Sequence, residues 1–199
     1  MMTTKAPKMF GHADGNSFYC SVETIYKPWL REGPVIVASN NDICAIAMNK
    51  PAKALDIKMG TILSDLTDLI RDNRIATFSS NYELYGEVSS RMMRHFSQYV
   101  DRIEVYSIDE AFVPFTDPMA AQAVEVGWAM HDRVANGVGM PVRVGIGNTR
   151  TLAKLANLWA KKTERVFRVE AGTPEPDATL DATPTGDLWG IGRRHSKNL

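Results

Sequence analysis

Hydrophobic and polar positions alternate along this 199-residue chain with two different periods. Short apolar runs bounded by turn residues predict strands, and apolar positions spaced three and four residues apart predict helices. The predicted strands are 9–13, 34–38, 43–48, 75–78, 102–108, 111–115 and 141–146. The predicted helices are 17–30, 52–56, 61–72, 81–100, 119–135 and 148–161.

Setting aside the block 34–78 leaves the order strand, helix, two-stranded hairpin, helix, strand. This βαββαβ order is typical of the ferredoxin-like arrangement, which belongs to the α+β class. Helices on one face of such a sheet would bury a single core. The block 34–78 is then an insertion with a small sheet and helices of its own. Residues 171–186 are rich in proline and acidic residues without an apolar period, and this predicts a linker.

Three carboxylates flank strands that this topology makes neighbours. Asp14 follows the first strand, and Asp109 and Glu110 separate the two hairpin strands. Because the first and third strands lie side by side, the three acids can meet at one edge, where their repulsion needs cations to offset it. Hard oxygen ligands select Mg²⁺ or Mn²⁺. Two such ions could hold the attacking and leaving oxygens of a phosphoryl displacement.

On spacing alone, a structural explanation of these acids is preferred. Asp14 would cap the following helix, and Asp109 with Glu110 would form a polar turn. The flanking residues favour chemistry instead, because Gly15 permits close backbone approach and the next helix offers free N–H groups that suit a triphosphate. Each lysine alone is typical of a solvated surface, but two clusters could reach the same phosphates: Lys50, Lys53 and Lys58, and Lys154, Lys161 and Lys162.

Charge and composition narrow the class of protein. Lys plus Arg and Asp plus Glu each number 23, and this balance argues against a simple basic nucleic-acid-coating module. The segment 143–168 nevertheless holds seven basic residues and one acidic residue. Two cysteines fit a reducing cytosol, and no apolar run approaches the roughly 18 residues of a membrane span. Residues 1–8 lack the apolar core of a signal peptide. We therefore expect a cytoplasmic protein. The four histidines show no metal-ligand spacing, so no metal role is predicted for them.

Seven short motifs occur in order along the chain. They are DGNSFY (14–19), SNND (39–42), AKAL with KMG (52–60), SSNYELY (79–85), YSIDEAF (106–112), TLAKLAN (151–157) and WGIGRR (189–194). Together they resemble the Y-family translesion DNA polymerases, and most of all the UmuC branch. The resemblance covers 9–199 and is weakest over 163–186, and the SIDEAF run is its most diagnostic part.

The resemblance implies a domain organisation. It assigns 9–33 and 79–170 to a ferredoxin-like palm and 34–78 to an inserted α/β fingers subdomain. Residues 171–186 would be a linker and 187–199 the start of a thumb. Family members continue through a helical thumb and a DNA-gripping little finger, so we expect the little finger to be absent and the thumb to be truncated.

The resemblance also assigns site residues. By it, Asp14, Asp109 and Glu110 ligate two Mg²⁺ ions, or Mn²⁺ in their place, and the Gly15 carbonyl adds a backbone oxygen. Tyr19 would lie under the sugar of the incoming nucleotide, where its ring excludes a ribose 2′-hydroxyl. The structural alternative for Tyr19 is a packed helix residue.

Further contacts are implied for the nucleotide and for DNA. Lys53 and Lys161 would bind phosphates, and Phe18 belongs to the same nucleotide-binding set. Because neighbours on a helix point about 100° apart, Phe18 suits the core better than Tyr19 does. The Gly-Ile-Gly turn resembles half of a helix–hairpin–helix, whose N–H groups hold a DNA phosphate. The expected DNA contacts in this turn are Gly190, Gly192 and Arg193.

Three positions depart from the usual UmuC pattern in the fingers. Met48 stands where the branch usually carries Arg, Pro51 replaces a Glu and Asp56 replaces a common Gly. These changes leave the expected metal ligands intact and weaken the expectation of tight nucleotide binding.

The resemblance implies low-fidelity, template-directed DNA synthesis in DNA repair and SOS mutagenesis. Expected partners are primer–template DNA, a dNTP, and accessory proteins such as a UmuD-like subunit, a sliding clamp and a recombinase filament, with no membrane. One alternative is a non-catalytic palm–fingers fragment that binds nucleotides or proteins. Another is a nucleotidyl cyclase, which shares the sheet and the metal chemistry, although Tyr19 and the motif order argue against it.

Overall fold

The computed structural model describes residues 8–172 and 174–198, except for the side chains of 174–177 and 193. The predictions for 1–7 and for residue 199 lie outside this range. The strands are β1 (Met9–Gly15), β2 (Val35–Ala38), β3 (Ala45–Met48), β4 (Ala76–Ser79), β5 (Glu104–Val105), β6 (Glu110–Phe115), β7 (Val142–Gly147) and β8 (Val166–Val169). The α-helices are α1 (Phe18–Ile25), α2 (Lys50–Ala54), α3 (Thr67–Arg71), α4 (Tyr82–Phe96), α5 (Ala123–Val138), α6 (Arg150–Ala160), α7 (Pro174–Asp181) and α8 (Arg193–Ser196).

The described chain forms two compact units. The first comprises 8–14, 93–135 and 142–198, and the second comprises 15–92 and 136–141. The first contains a five-stranded sheet in the order β5-β6-β1-β7-β8. Its first four strands follow the ferredoxin-like order, and β1 pairs antiparallel with β6 as predicted. The α+β prediction is therefore confirmed.

Helices pack on both faces of the five-stranded sheet. A Cβ on Gly127 of α5 would lie 3.0 to 3.4 Å from side-chain carbons of Val166, Ile146 and Val144. A Cβ on Gly145 would instead meet the backbone of α6. Because neighbouring residues of β7 point to opposite faces, α5 and α6 cover opposite faces. Helix α6 follows the last strand of the βαββαβ order and adds a layer on the face opposite α5.

Helix α6 begins at a side-chain cap and packs against β7 at backbone distance. Thr149 accepts a hydrogen bond from the Leu152 N–H at 3.2 Å, which satisfies one of the unpaired donors of the first turn. A Cβ added at Gly145 would lie 2.1 Å from the Asn157 nitrogen, and one at Gly147 would lie 2.6 Å from the Ala153 nitrogen. Glycine at these two positions therefore permits the close approach of helix and strand.

The second unit is built on the three-stranded sheet β3-β2-β4. Strand β2 pairs antiparallel with β3 and parallel with β4. Its core is an apolar cluster that contains Ile36, Ile57, Leu66 and Met48. Met48 is 7% exposed, so the residue that replaces the usual Arg serves as core. Asp56, which replaces a common Gly, has φ of 60°, the left-handed region that glycine adopts at little cost.

Three segments differ from their predictions. Residues 171–186 contain α7, where a linker is predicted; Pro174 begins this helix at a position that needs no hydrogen-bonding N–H. The helix predicted over 61–72 is a 3₁₀ turn at Leu63–Leu66 followed by the short α3. Strand β8 is not predicted at all, because its four residues follow a charged segment without a clear period.

Candidate active site

The candidate site is built on the middle strands of the five-stranded sheet. Asp14 of β1 stands directly opposite Glu110 of β6 in the antiparallel register. Asp14 is thus a strand residue and not a helix cap; the residue preceding α1 is Ser17, whose side chain makes no capping hydrogen bond. Because alternate strand residues share a face, His12 lies on the same face as Asp14.

Glu110 is held by two nitrogen donors. Its Oε2 lies 2.7 Å from His12 Nε2 and accepts a hydrogen bond from Lys154 Nζ at 2.8 Å. The hydrogen bond to His12, followed by that to Lys154, lowers the pKa of Glu110 to about 2 against the opposing effect of burial. Glu110 is therefore a carboxylate at neutral pH.

Asp14 forms an ion pair with Lys161, the residue that follows the last turn of α6. Its Oδ2 accepts a hydrogen bond from Lys161 Nζ at 2.9 Å. Burial raises the pKa of Asp14, and the Lys161 ammonium opposes this rise. The charge of Asp109 adds a smaller upward contribution to the same pKa. A second positive charge near Asp14 would therefore favour its ionised form.

Three side chains converge closely enough to share a cation. One ligand atom each from His12, Asp14 and Glu110 lies within 4.8 Å of the others. Asp109 is not in this group: its Oδ1 accepts a hydrogen bond from Ser107 Oγ at 2.6 Å. The two carboxylates fit a hard divalent cation, because they are oxygen donors that converge and now accept hydrogen bonds from ammonium groups. The role of Asp109 as a ligand stays a prediction.

A cavity of about 220 Å³ opens over this group. Asp14, Glu110, Lys154 and Lys161 line it, together with Trp189. Carboxylates and ammonium groups thus meet in one small opening, an arrangement that suits a ligand with metal-bound phosphates.

Aromatic rings surround Lys154. Its Nζ lies 4.3 Å from the Tyr106 ring centroid, 5.3 Å from that of Trp189 and 5.8 Å from that of Phe112. Cation–π attraction therefore holds the ammonium group beside Glu110. Trp189 is 40% exposed and Tyr106 is 50% exposed, so the rings border solvent.

No site role is predicted from the sequence for His12, and none is predicted for Lys154 individually. The histidines are not related by helical or loop spacing, whereas His12 reaches the site through the two-residue period of a strand. That period was available from the sequence, since His12 stands two residues before Asp14 in a predicted strand. Asn157 of the TLAKLAN motif also has a positioning role, because its amide donates to the carbonyls of His12 and Arg143.

The predicted nucleotide residues of the second unit occupy α1 and α2. Phe18 is buried at 4% exposure, as its helical position predicts. The Tyr19 ring contacts those of Tyr85 and Tyr82, at centroid distances of 4.7 and 6.2 Å. Lys53 is exposed near the end of α2. The binding roles of these residues stay predictions.

The Gly-Ile-Gly turn precedes α8. Gly190 has φ of 86°, and the Ile191 N–H donates to the Leu188 carbonyl at 3.0 Å. Gly190 and Gly192 are exposed, which leaves this backbone accessible. The side chain of Arg193 lies outside the described residues. Among the helices that the structure describes, none is both long and apolar enough to cross a bilayer.

Comparison with known proteins assigns the chain to a family. A model of the impB/mucB/samB family matches residues 13–157. Protein UmuC of Salmonella typhimurium is 41% identical over 195 residues, which cover 96% of this chain and 46% of that protein. DNA polymerase IV 1 of Bacillus subtilis is 28% identical over 192 residues, 94% of this chain and 45% of that protein. The chain thus spans about half the length of the curated relatives that it matches.

Solved structures share the fold. DinB from Sulfolobus solfataricus superposes with a TM-score of 0.83 at 20% identity, over 96% of this chain and 56% of that one. An insertion ternary complex of Dbh DNA polymerase gives a TM-score of 0.79 at 20% identity, over 94% of this chain and 55% of that one. The motif order, the sheet order and the family match agree, and the chain belongs to the impB/mucB/samB family, the UmuC-like branch of the Y-family DNA polymerases.

Proposed function

We propose that this chain carries the catalytic site of a low-fidelity translesion DNA polymerase. The reaction is transfer of a deoxynucleotide: the primer 3′-oxygen attacks the α-phosphorus of a dNTP, and the bond to pyrophosphate breaks. The observation that carries the proposal is the cross-strand pair Asp14–Glu110, with Lys161 and Lys154 donating to its oxygens. Paired carboxylates beside phosphate-binding ammonium groups suit metal-assisted phosphoryl transfer.

In this proposal Asp14, Asp109 and Glu110 hold the divalent ions, with the Gly15 carbonyl as a backbone ligand. Such ions, when bound, would lower the pKa of the primer hydroxyl and neutralise charge on the departing phosphates. Asp109 would turn from Ser107 toward Asp14 to complete the site. The two lysines would then exchange carboxylate oxygens for phosphate oxygens, which they bind as point charges.

In this proposal other residues select the sugar of the incoming nucleotide and bind the DNA. Tyr19 excludes a ribose 2′-hydroxyl, and contact with the Tyr85 ring supports its position. Phe18 and Lys53 complete the nucleotide site. The exposed N–H groups near Gly190 and Gly192 hold a DNA phosphate. A UmuD-like subunit, a sliding clamp and a recombinase filament are proposed partners by family membership alone.

Primer extension tests the proposal. The chain is incubated with primer–template DNA, four dNTPs and Mg²⁺, beside Glu110→Gln and the matched control Glu125→Gln, whose side chain is exposed on α5. We expect template-dependent extension by the wild type and the control, and a loss on the order of a hundredfold or more in Glu110→Gln. Equal extension by all three, or none by any, contradicts the proposal. The second of these outcomes favours the non-catalytic alternative.

A further inference from the structure

His12 is a buried histidine pressed against the carboxylate of Glu110. It is 2% exposed in β1, and its Nε2 lies 2.7 Å from Glu110 Oε2. Its ring packs on Phe112 at a centroid distance of 5.0 Å, and its carbonyl accepts from the Asn157 amide at 2.8 Å. The imidazole is therefore fixed by ring packing on one side and by its own backbone on another.

The direction of the hydrogen bond follows from the chemistry of its partners. Glu110 Oε2 already accepts a hydrogen bond from the Lys154 ammonium at 2.8 Å, and a carboxylate paired in this way only accepts hydrogen bonds. Nε2 must therefore carry the hydrogen and donate it. The buried Nδ1 has no hydrogen-bond partner among the described residues. Within the described part of the chain, the contact with Glu110 is thus the hydrogen bond that the imidazole ring makes.

We propose that His12 is a positioning residue for the metal site: its Nε2–H fixes the Glu110 carboxylate opposite Asp14 and leaves Oε1 to an incoming divalent ion. This inference rests on the metal site of the proposed function. The hydrogen bond already restricts rotation of the Glu110 side chain. Less conformational entropy is therefore lost when the ion binds. Lys154 shares Oε2, but in the proposed function it exchanges this oxygen for a phosphate oxygen, whereas His12 is buried in the core and keeps its contact.

Direct ligation by His12 fits the contacts less well. A histidine that binds a metal through one ring nitrogen ordinarily donates its other N–H to an acceptor, which fixes the ring. Nδ1 has no such acceptor in the described part of the chain. Ligation through Nε2 would also remove the hydrogen bond to Glu110. If His12 binds Glu110 and not the ion, the ligands of the ion are all oxygens, as Mg²⁺ prefers.

Manganese binding measured by electron paramagnetic resonance tests this role without using activity. The titration compares the wild type with His12→Gln, whose amide nitrogen can replace Nε2, and with His12→Asn, whose shorter amide cannot reach Oε2. Since partners of ligating groups change metal affinity about 10- to 100-fold, we expect that loss in His12→Asn and near-wild-type affinity in His12→Gln. Glu110→Gln serves as the reference for loss of the ligand itself. Circular dichroism confirms that each variant is folded.

The possible results separate this inference from the proposed function. Equal affinity of His12→Asn and wild type, or equal loss in both His12 variants, overturns the positioning role while Glu110-dependent binding leaves the metal site standing. A directly bonded nitrogen coupling in the pulsed spectrum of the wild type also overturns it, in favour of ligation. If the wild type binds no Mn²⁺ better than Glu110→Gln does, the metal site itself fails, and the inference fails with it.

Discussion

At the scale of single residues, the site sets two carboxylates in opposite electrostatic environments. His12 and Lys154 stabilise the charge of Glu110, whereas burial disfavours the charge of Asp14 more than Lys161 favours it. An ion that binds both would therefore lower the pKa of Asp14 and compete with hydrogen-bond donors for Glu110. This contrast makes the two acids distinguishable in stability measurements.

The Glu110 contacts predict an acid-labile contribution to stability. The folded pKa, about 2, lies below the ordinary 4.5, so the stabilisation is present above pH 4.5 and is lost as the pH falls toward 2. The pKa falls from 4.5 to about 2 and one pKa unit corresponds to about 1.4 kcal/mol, so the size of this contribution is on the order of 3 kcal/mol. Urea unfolding in EDTA should show a steeper decline of the free energy of unfolding in the wild type than in Glu110→Gln. Parallel declines would contradict it.

The pairing of Asp14 with Glu110 can be predicted from the sequence. The strand period and the βαββαβ order make the first and third strands neighbours. These two features are enough to predict that Asp14 lies near Glu110. The strand period places His12 on the face of Asp14, but its hydrogen bond to Glu110 is not predictable without the structure. The hydrogen bond between Asp109 and Ser107 is not predictable either, because the rotamer of a turn residue depends on local hydrogen bonds.

At the scale of elements, α6 carries the TLAKLAN motif and packs it against β7 and β8 of the five-stranded sheet. Lys154 of α6 and Lys161, which directly follows this helix, reach the carboxylates because Gly145 and Gly147 let the helix lie against the backbone of β7. The sequence predicted both α6 and β7 from their periods. It did not predict β8, which pairs parallel with β7 and completes the layer beneath the helix. Short edge strands carry too few residues to establish a period.

Gly145→Ala tests this close packing. The new Cβ would lie 2.1 Å from the Asn157 nitrogen, so helix and strand must separate. We expect a loss of about 3 kcal/mol or more in the free energy of unfolding, at or above the upper range for overpacked cores. The matched control is Gly86→Ala in α4, where a Cβ meets no atom within 4 Å and helix propensity favours Ala by up to about 1 kcal/mol. Similar stability of the two variants would show that α6 is free to shift.

At the scale of the whole molecule, each of the two units is organised around a sheet. The sequence predicts both sheets, and the division into palm and fingers stays a prediction. In the second unit α1 packs against β2 and β3, because the apolar face of this helix covers that smaller sheet. The amphipathic period of a helix predicts that one of its faces is buried, but it does not predict which sheet that face covers. The zero net charge likewise hides the basic segment 143–168, which includes both site lysines.

The central claim is that the carboxylates of Asp14, Asp109 and Glu110 hold the divalent ions that nucleotide transfer needs. The most direct measurement is anomalous X-ray scattering from crystals of the chain containing Mn²⁺ and a dNTP. We expect an anomalous peak bonded to oxygens of Asp14 and Glu110, with the Asp109 carboxylate turned from Ser107 to join them. A Mn²⁺ peak elsewhere, or none at this edge of the sheet while the dNTP is bound, would contradict the claim.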